Sequence, residues 1–200
     1  MKETEAAAEI LGAQRVEFLG YVDSGMMGTP ENDKPGSFWT ADVDEAAGRL
    51  ATILREEHAD VLTVYDDHGA YGHPDHIQVH RVGVRAAALA GVDKVFQSTI
   101  NRDHIIRGMK ERRDMLPEGT EMPDFEAAPD FGSSEDVITG AVDVGAFLEH
   151  KRKAMQAHAS QISEESFFLQ MPPDVFAEAF GTEWYIRDGQ GPGITETAVI

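Results

Sequence analysis

Apolar positions along the chain change their spacing several times, and each change marks an element. Residues 3–11 (ETEAAAEIL) are strong helix formers, and Gly12 stands where a helix C-cap is expected. Residues 16–19, within RVEFLG, read as a short strand. Residues 22–41 (VDSGMMGTPENDKPGSFWTA) have no periodicity and are rich in Gly, Pro, Asn and Asp, which predicts a loop. A loop of that length in a compact domain is usually functional. From residue 44 to 57, Ala47, Leu50, Ala51 and Leu54 recur at helical spacing. Residues 60–65 (DVLTVY) are mostly apolar and β-branched, the pattern of a strand buried on both faces. A polar turn leads to a helix over about residues 76–89, ended by Gly91, and residues 94–100 (KVFQSTI) read as the next strand.

Helices and strands alternating at these distances predict an α/β fold: a Rossmann-like, mostly parallel sheet with flanking helices. Ligands of such sheets lie at the carboxyl ends of the strands. The loops 22–41 and 66–75 both follow strand ends and are expected to open on the same edge. Further on, residues 103–115 look helical and basic, and 116–135 form an acidic, Pro-containing loop. A strand over 137–144, helices over 146–162 and 175–180, and a last strand over 182–187 complete the expectation of one domain, residues 1–200, with a decorated C-terminal part.

Composition narrows the function. Hydrophobic residues at 42% and charged residues at 26% are ordinary for a globular chain and argue against wholesale disorder. No apolar run approaches the length of a membrane span, and the first residues lack the basic-then-apolar pattern of a secretory leader, so the default expectation is cytoplasmic. A net charge of −19 opposes binding to nucleic acid or to an anionic membrane surface and favours a neutral or cationic small-molecule partner. With no cysteine, any metal must be held by His, Asp or Glu.

Four of the 8 histidines, His68, His73, His76 and His80, fall in the stretch YDDHGAYGHPDHIQVH, among Asp66, Asp67 and Asp75. The stretch begins at the carboxyl end of a strand and finishes inside a helix, where this fold class places its chemistry. Pro74 suits a helix entry, with Asp75 as N-cap or close to it. His76 then occupies the first turn and His80 follows one turn later on the same face. Two arrangements are open from spacing alone: His76 as a metal ligand beside a free catalytic His73, or His76 and His80 as a ligand pair. A turn whose histidines merely cap and solvate is the plainer alternative, disfavoured by the number of His and Asp side chains gathered behind one strand.

The string YGHPDHIQVH resembles the second signature of the LmbE-like (PIG-L) zinc-dependent N-deacetylases. YVDSGMMGTPENDKPGSFW is similar to the substrate loop of the branch that contains mycothiol conjugate amidase and the deacetylase of mycothiol biosynthesis. EHKRKAMQAHASQI resembles that branch's KxxAMxAHxSQ helix, and GTEWYIR its closing strand. The resemblance implies hydrolysis of an N-acyl amide on an amino sugar or thiol conjugate, with one zinc per complete site and Fe²⁺ as an alternative occupant. It implies His76 as metal ligand and His73 as the imidazole that stabilises the oxyanion and protonates the leaving amine, oriented by Asp75. Tyr71 would polarise the carbonyl, and Asp23 would bind sugar hydroxyls. Arg102 and His158 would be further substrate contacts. Each of these last four has a plainer alternative: a packed loop aromatic, a turn residue, a surface charge and a helix-packed histidine.

The family begins with a βα unit carrying an AHPDDE-type motif, which supplies the other metal ligands and the general base. No such motif occurs here, and KETEAAAEILG resembles a helix that follows it. The expectation is therefore a domain truncated at its N-terminus relative to the family: an enzyme or, as the alternative, an inactive relative acting as a binding module or an incomplete fragment of the enzyme.

Overall fold

Alanine sets how closely the two central helices approach. In this computed structural model, which describes residues 1–112, 131–191 and 193–200, helix α2 (Val43–Glu56) packs on helix α4 (Pro74–Ala90). Their shared core is Ala46, Ala47, Ala51 and Leu54 against Val82, Ala86 and Ala87, with Val92 beside them. Small side chains at the crossing let the two backbones come together without voids. The Asp42 carboxylate caps α2 by accepting from the Glu45 amide at 2.8 Å. Helix α4 starts with Pro74 in its first turn and ends at Gly91, whose φ of 79° is left-handed. The cap of α4 is His73, one residue before the proline, and not Asp75: Pro74 fits the first helical position, which moves the cap to its neighbour.

Among the described residues four strands form one sheet, β1 (Val61–Tyr65), β2 (Lys94–Thr99), β3 (Gly140–Asp143) and β4 (Thr182–Ile186), in the order β1-β2-β4-β3. β1 and β2 are parallel, with Val61 opposite Lys94 and Tyr65 opposite Ser98. β4 runs antiparallel to β2, with Gln97 opposite Ile186 and Thr99 opposite Trp184. The sheet is therefore mixed rather than mostly parallel. The parallel expectation holds across the strand–helix–strand unit that requires it, residues 61–99, and lapses where that alternation stops.

Two other expectations are corrected. β1 lies at the edge of the sheet, and its Val64 is buried while Thr63, on the opposite face, is exposed, so the strand is not covered on both faces. Residues 16–19 form no strand. They lack a ladder partner, and the carbonyl of Leu19 accepts instead from Arg49 Nη1 at 3.0 Å. The next sheet-type contact is an isolated bridge between Val22 and Ser37. Between β1 and α4 stands a helix-like turn, α3 (Gly69–Gly72), whose backbone is non-helical at Ala70 and Tyr71, and after β2 comes α5 (Arg102–Arg112). Most of the acidic loop expected over 116–135 lies outside the described residues.

The described residues cluster into two compact units, Leu19–Ala141 with Trp184–Ile200, and Met1–Phe18 with Val142–Glu183. In the second, α1 (Lys2–Leu11) packs on α6 (Leu148–Ala157), with Ala7 buried on the first and Ala154 on the second. Helix α6 stops at His158, earlier than its sequence pattern suggests, and α7 (Phe167–Gln170) and α8 (Pro173–Phe180) follow. The Arg152 guanidinium sits 4.1 Å from the Phe176 ring centre and donates to the carbonyls of Leu169 and Met171 at 2.9 and 3.1 Å. Among the described residues no helix is long and apolar enough to cross a membrane.

Candidate active site

The turn after β1 is built on a buried carboxylate. Asp66 is fully shielded from solvent; its Oδ1 accepts the Ala70 amide at 2.6 Å and its Oδ2 accepts the Thr99 hydroxyl at 2.5 Å. These bonds fold residues 66–70 back over the end of the sheet and leave Tyr71 at the surface, 46% exposed. Burial still pushes the Tyr71 phenol above its usual range. Beside Asp66, Asp67 accepts from His68 Nδ1 at 2.9 Å, and that bond holds the Asp67 carboxyl below the usual carboxylate range.

His73 and His76 lie together, their ring centres 4.8 Å apart, and they carry their protons on different nitrogens. His73 Nδ1 accepts the backbone amide of Asp75 at 3.2 Å, so in the neutral ring the proton sits on Nε2. His76 Nδ1 faces the Gly69 carbonyl at 3.3 Å. A carbonyl can only accept, so Nδ1 is the protonated nitrogen and Nε2 keeps its lone pair. The His76 ring stacks flat on Tyr65, with centres 3.9 Å apart and planes 2° from parallel. Burial, then the nearby His73, lowers the His76 pKa and keeps the imidazole neutral. Tyr71 meets His76 edge-on at 5.1 Å and His73 at 6.2 Å. His80, one turn further, donates Nδ1–H to the Tyr65 carbonyl at 3.0 Å and so ties α4 to the end of β1.

The 22–41 loop reaches this turn although no strand delivers it. The Ser24 amide donates to Asp75 Oδ2 at 3.1 Å, across 51 positions of sequence, while Asp75 Oδ1 is buried without a partner. Ser24 is itself fully buried, its hydroxyl oxygen accepting from the Trp39 amide and bonded to Ser37 Oγ, each at 2.8 Å. Asn32 closes the loop: its Nδ2 donates to the carbonyls of Ser24 and Met26 at 2.5 and 3.1 Å, and its Oδ1 accepts from Gly28 at 2.8 Å. Asp23 is thereby fixed at the surface next to the Ser24–Asp75 bond, with its Oδ1 on the Gly25 amide at 2.9 Å.

The remaining candidates lie on other elements. Arg102 opens α5, half-buried, with its amide on the Ser133 carbonyl at 3.0 Å, and its side chain makes no bond to the histidine turn. His158 lies at the C-terminal end of α6 in the other unit, its amide on the Met155 carbonyl at 3.1 Å. Sequence reasoning missed the work of Ser24 and of Thr99. The Asp-Ser-Gly turn and the polar residues closing the apolar strand at Ser98 and Thr99 were the available signals.

As a test of metal binding, the donors fit in part. His76 presents an Nε2 lone pair with the ring held by a carbonyl at Nδ1, the arrangement usual for a histidine ligand. Among the described residues, however, no group of three or more His, Asp or Glu side chains gathers at one point. The described residues thus supply one prepared ligand and not a complete site.

Comparison with known proteins places this geometry in a lineage. The family model described as GlcNAc-PI de-N-acetylase (PIG-L) matches residues 1–87. The 1D-myo-inositol 2-acetamido-2-deoxy-alpha-D-glucopyranoside deacetylase of Acidothermus cellulolyticus is 40% identical over 194 residues, covering 93% of this chain and 66% of that protein. Proteins of the same name from Geodermatophilus obscurus and Thermomonospora curvata are each 37% identical, covering 92% and 97% of this chain and 68% and 71% of their own lengths. The chain thus spans about two-thirds of the length of these relatives. The crystal structure of a conserved protein from Thermus thermophilus, TT1542, shares the fold, with a TM-score of 0.52 at 21% identity over 97% of this chain and 74% of that one. The histidine turn, the loop bonded to it and these relatives together show that the chain belongs to the PIG-L (LmbE-like) deacetylase family.

Proposed function

We propose that the chain carries the proton-transfer and sugar-binding part of a metal-dependent hydrolase that removes the acyl group from the nitrogen of an amino sugar. One observation carries the reading: His73 and His76 sit side by side with opposite tautomers, one offering an N–H and the other a lone pair. The relatives' names specify an acetamido sugar as substrate, which makes an N-acetylglucosaminyl inositol the first compound to test.

The PIG-L family is metal-dependent. A metal supplies polarisation of the carbonyl and an activated water when it is bound. The described residues do not complete its coordination. The chain's own residues account for the rest. To protonate the departing amine the His73 ring must first carry a second proton, on Nδ1, so that delivery from Nε2 leaves a neutral imidazole; before that, its Nε2–H is a donor for the oxyanion that develops on the amide oxygen. The Asp75 amide on Nδ1 holds that tautomer. Tyr71 O–H approaches the same space from the exposed side, and the raised phenol pKa keeps it a proton donor at neutral pH. Asp23 stands on the loop that Asp75 anchors, so the hydroxyl-binding carboxylate and the acid–base imidazole are set by one residue. Arg102 is a further substrate contact in this reading. An N-acyl conjugate of a thiol is the alternative substrate, since the same groups serve any secondary amide.

Elemental analysis and amide hydrolysis, measured together, test the proposal. Close to one equivalent of bound zinc or iron, together with release of acetate, would support the reading. His76→Ala should lose metal and turnover together, and His73→Ala should lose turnover by about 10²–10⁴-fold with metal unchanged. Full activity in both variants refutes the assignment. A native chain that binds the sugar without metal or hydrolysis makes it a binding module instead.

A further inference from the structure

We infer that Asp66 is a positioning residue for Tyr71, acting through the backbone of Ala70. The inference rests on the reading of Tyr71 as a group that faces the substrate. Residues 69, 70 and 72 all have positive φ, at 69°, 65° and 82°. Two of them are glycine, for which this is inexpensive; Ala70, at φ 65° and ψ −41°, is not, and such a conformation persists only where its surroundings impose it.

The surroundings are specific. The amide of Ala70 donates to Asp66 Oδ1 at 2.6 Å, and its carbonyl accepts from the Gly132 amide at 2.7 Å. The two peptide groups flanking Ala70 are therefore each held from outside, which fixes both its dihedrals and with them the direction in which the chain presents Tyr71. The holders are themselves anchored. Asp66 Oδ2 takes the Thr99 hydroxyl proton, and Ser133 Oγ lies 2.9 Å from the same Thr99 oxygen. With its one proton on Asp66, Thr99 accepts from Ser133 in turn. The Ser133 amide donates to the Ile100 carbonyl at 2.8 Å, so the strap at residues 132–133 is pinned to the end of β2. Gly132 is required there: a Cβ would meet the Ile100 carbonyl oxygen at 2.5 Å. The outcome is a phenol held edge-on to His76 at 5.1 Å, on a turn that would otherwise relax.

Asp66→Ala, Asp66→Asn and Thr99→Val, followed by amide hydrogen exchange and ring–ring nuclear Overhauser contacts in the full chain, test this without recourse to turnover. In Asp66→Ala the Ala70 amide should exchange at least about tenfold faster and the Tyr71–His76 ring contact should vanish, while amides in the middle of α4 change by less than about twofold. Asp66→Asn retains an acceptor for Ala70 and should restore the contact. Thr99→Val, nearly isosteric, should speed Ala70 exchange about tenfold with the fold intact, and it decides the matter if Asp66→Ala does not fold. Native exchange at Ala70 and a preserved ring contact in folded Asp66→Ala or Thr99→Val overturn the inference and leave the hydrolase reading standing.

Discussion

Gly83 is a point of close approach between α4 and the sheet, and replacing it measures how firmly the histidine-bearing helix is seated. A Cβ at position 83 would lie 2.3 Å from Val64 Cγ1. Ordinary carbon–carbon contact is about 3.5–4.0 Å, so more than an ångström must be recovered. Val64 cannot yield easily, because it is 5% exposed and its branched side chain has one strongly preferred rotamer. Overpacking of this kind costs about 1–3 kcal/mol, against which alanine gains about 1 kcal/mol of helix propensity over glycine. Gly48, within α2, has no atom within 4 Å of where its Cβ would stand, so Gly48→Ala should keep the whole propensity gain. The expected separation between the two variants is therefore about 1–3 kcal/mol. For a chain of this size each kcal/mol moves Tm by roughly 2–4 °C. Thermal and urea unfolding followed by circular dichroism would read it: Gly48→Ala above the native protein, Gly83→Ala level with it or below. Two variants stabilised equally would refute the close seating of α4 on β1. A second signature is local. The Tyr65–His76 stack and the His80 bond to the Tyr65 carbonyl both bridge α4 and β1, so in Gly83→Ala the His76 ring resonances should shift, and in Gly48→Ala they should not.

Two further predictions concern the segments around the turn. Asn32→Ala removes two donors and one acceptor from the 22–41 loop and strands the buried Ser24 carbonyl, at a cost of about 1–3 kcal/mol; it should lower Tm and weaken sugar binding, and unchanged binding in calorimetry would mean that the loop does not hold the sugar. Glu135 is kept below the usual carboxylate range by bonds from Arg107 and then Asn101. Its stabilising effect is therefore present above the ordinary glutamate pKa of about 4.3 and fades as the pH falls through the lower value in the folded protein. Glu135→Gln should lower Tm at pH 7 and leave it unchanged near pH 2, and an equal loss at both would show that charge plays no part.

The fold was most legible where a local pattern and its tertiary partner coincide. The alanines of α2 and the glycine that ends α4 are read directly from spacing, because helix periodicity and the C-cap are properties of neighbouring residues. The strand expected over residues 16–19 failed for the opposite reason: an extended run becomes a strand only with a ladder partner, and Arg49 took the Leu19 carbonyl. The edge position of β1 was equally hidden, since VLTVY has the same composition whether helices cover one face or two. Antiparallel β4 is set by a pairing between residues 97 and 186, far outside any window of periodicity.

The site divides along the same line. A proline and histidines close together in sequence were enough to place His73 and His76 in one turn, and their spacing did so. Which nitrogen of each carries the proton depends on the backbone of Asp75 and the carbonyl of Gly69, groups that every residue possesses and no sequence pattern distinguishes. The role of Asp75 shows the consequence. Spacing makes it a helix cap or an orienter of the adjacent ring, yet it is its backbone that meets His73, while its carboxylate reaches 51 positions back to Ser24. A single aspartate thus joins the loop carrying Asp23 to the imidazole tautomer, through bonds of different kinds. Removing its charge and removing its side chain are consequently different experiments. Asp75→Asn retains an oxygen for the Ser24 amide and should preserve loop order while altering the field at His73; Asp75→Ala should release the loop as well. The difference between the two, in loop hydrogen exchange, isolates the anchoring role from the electrostatic one.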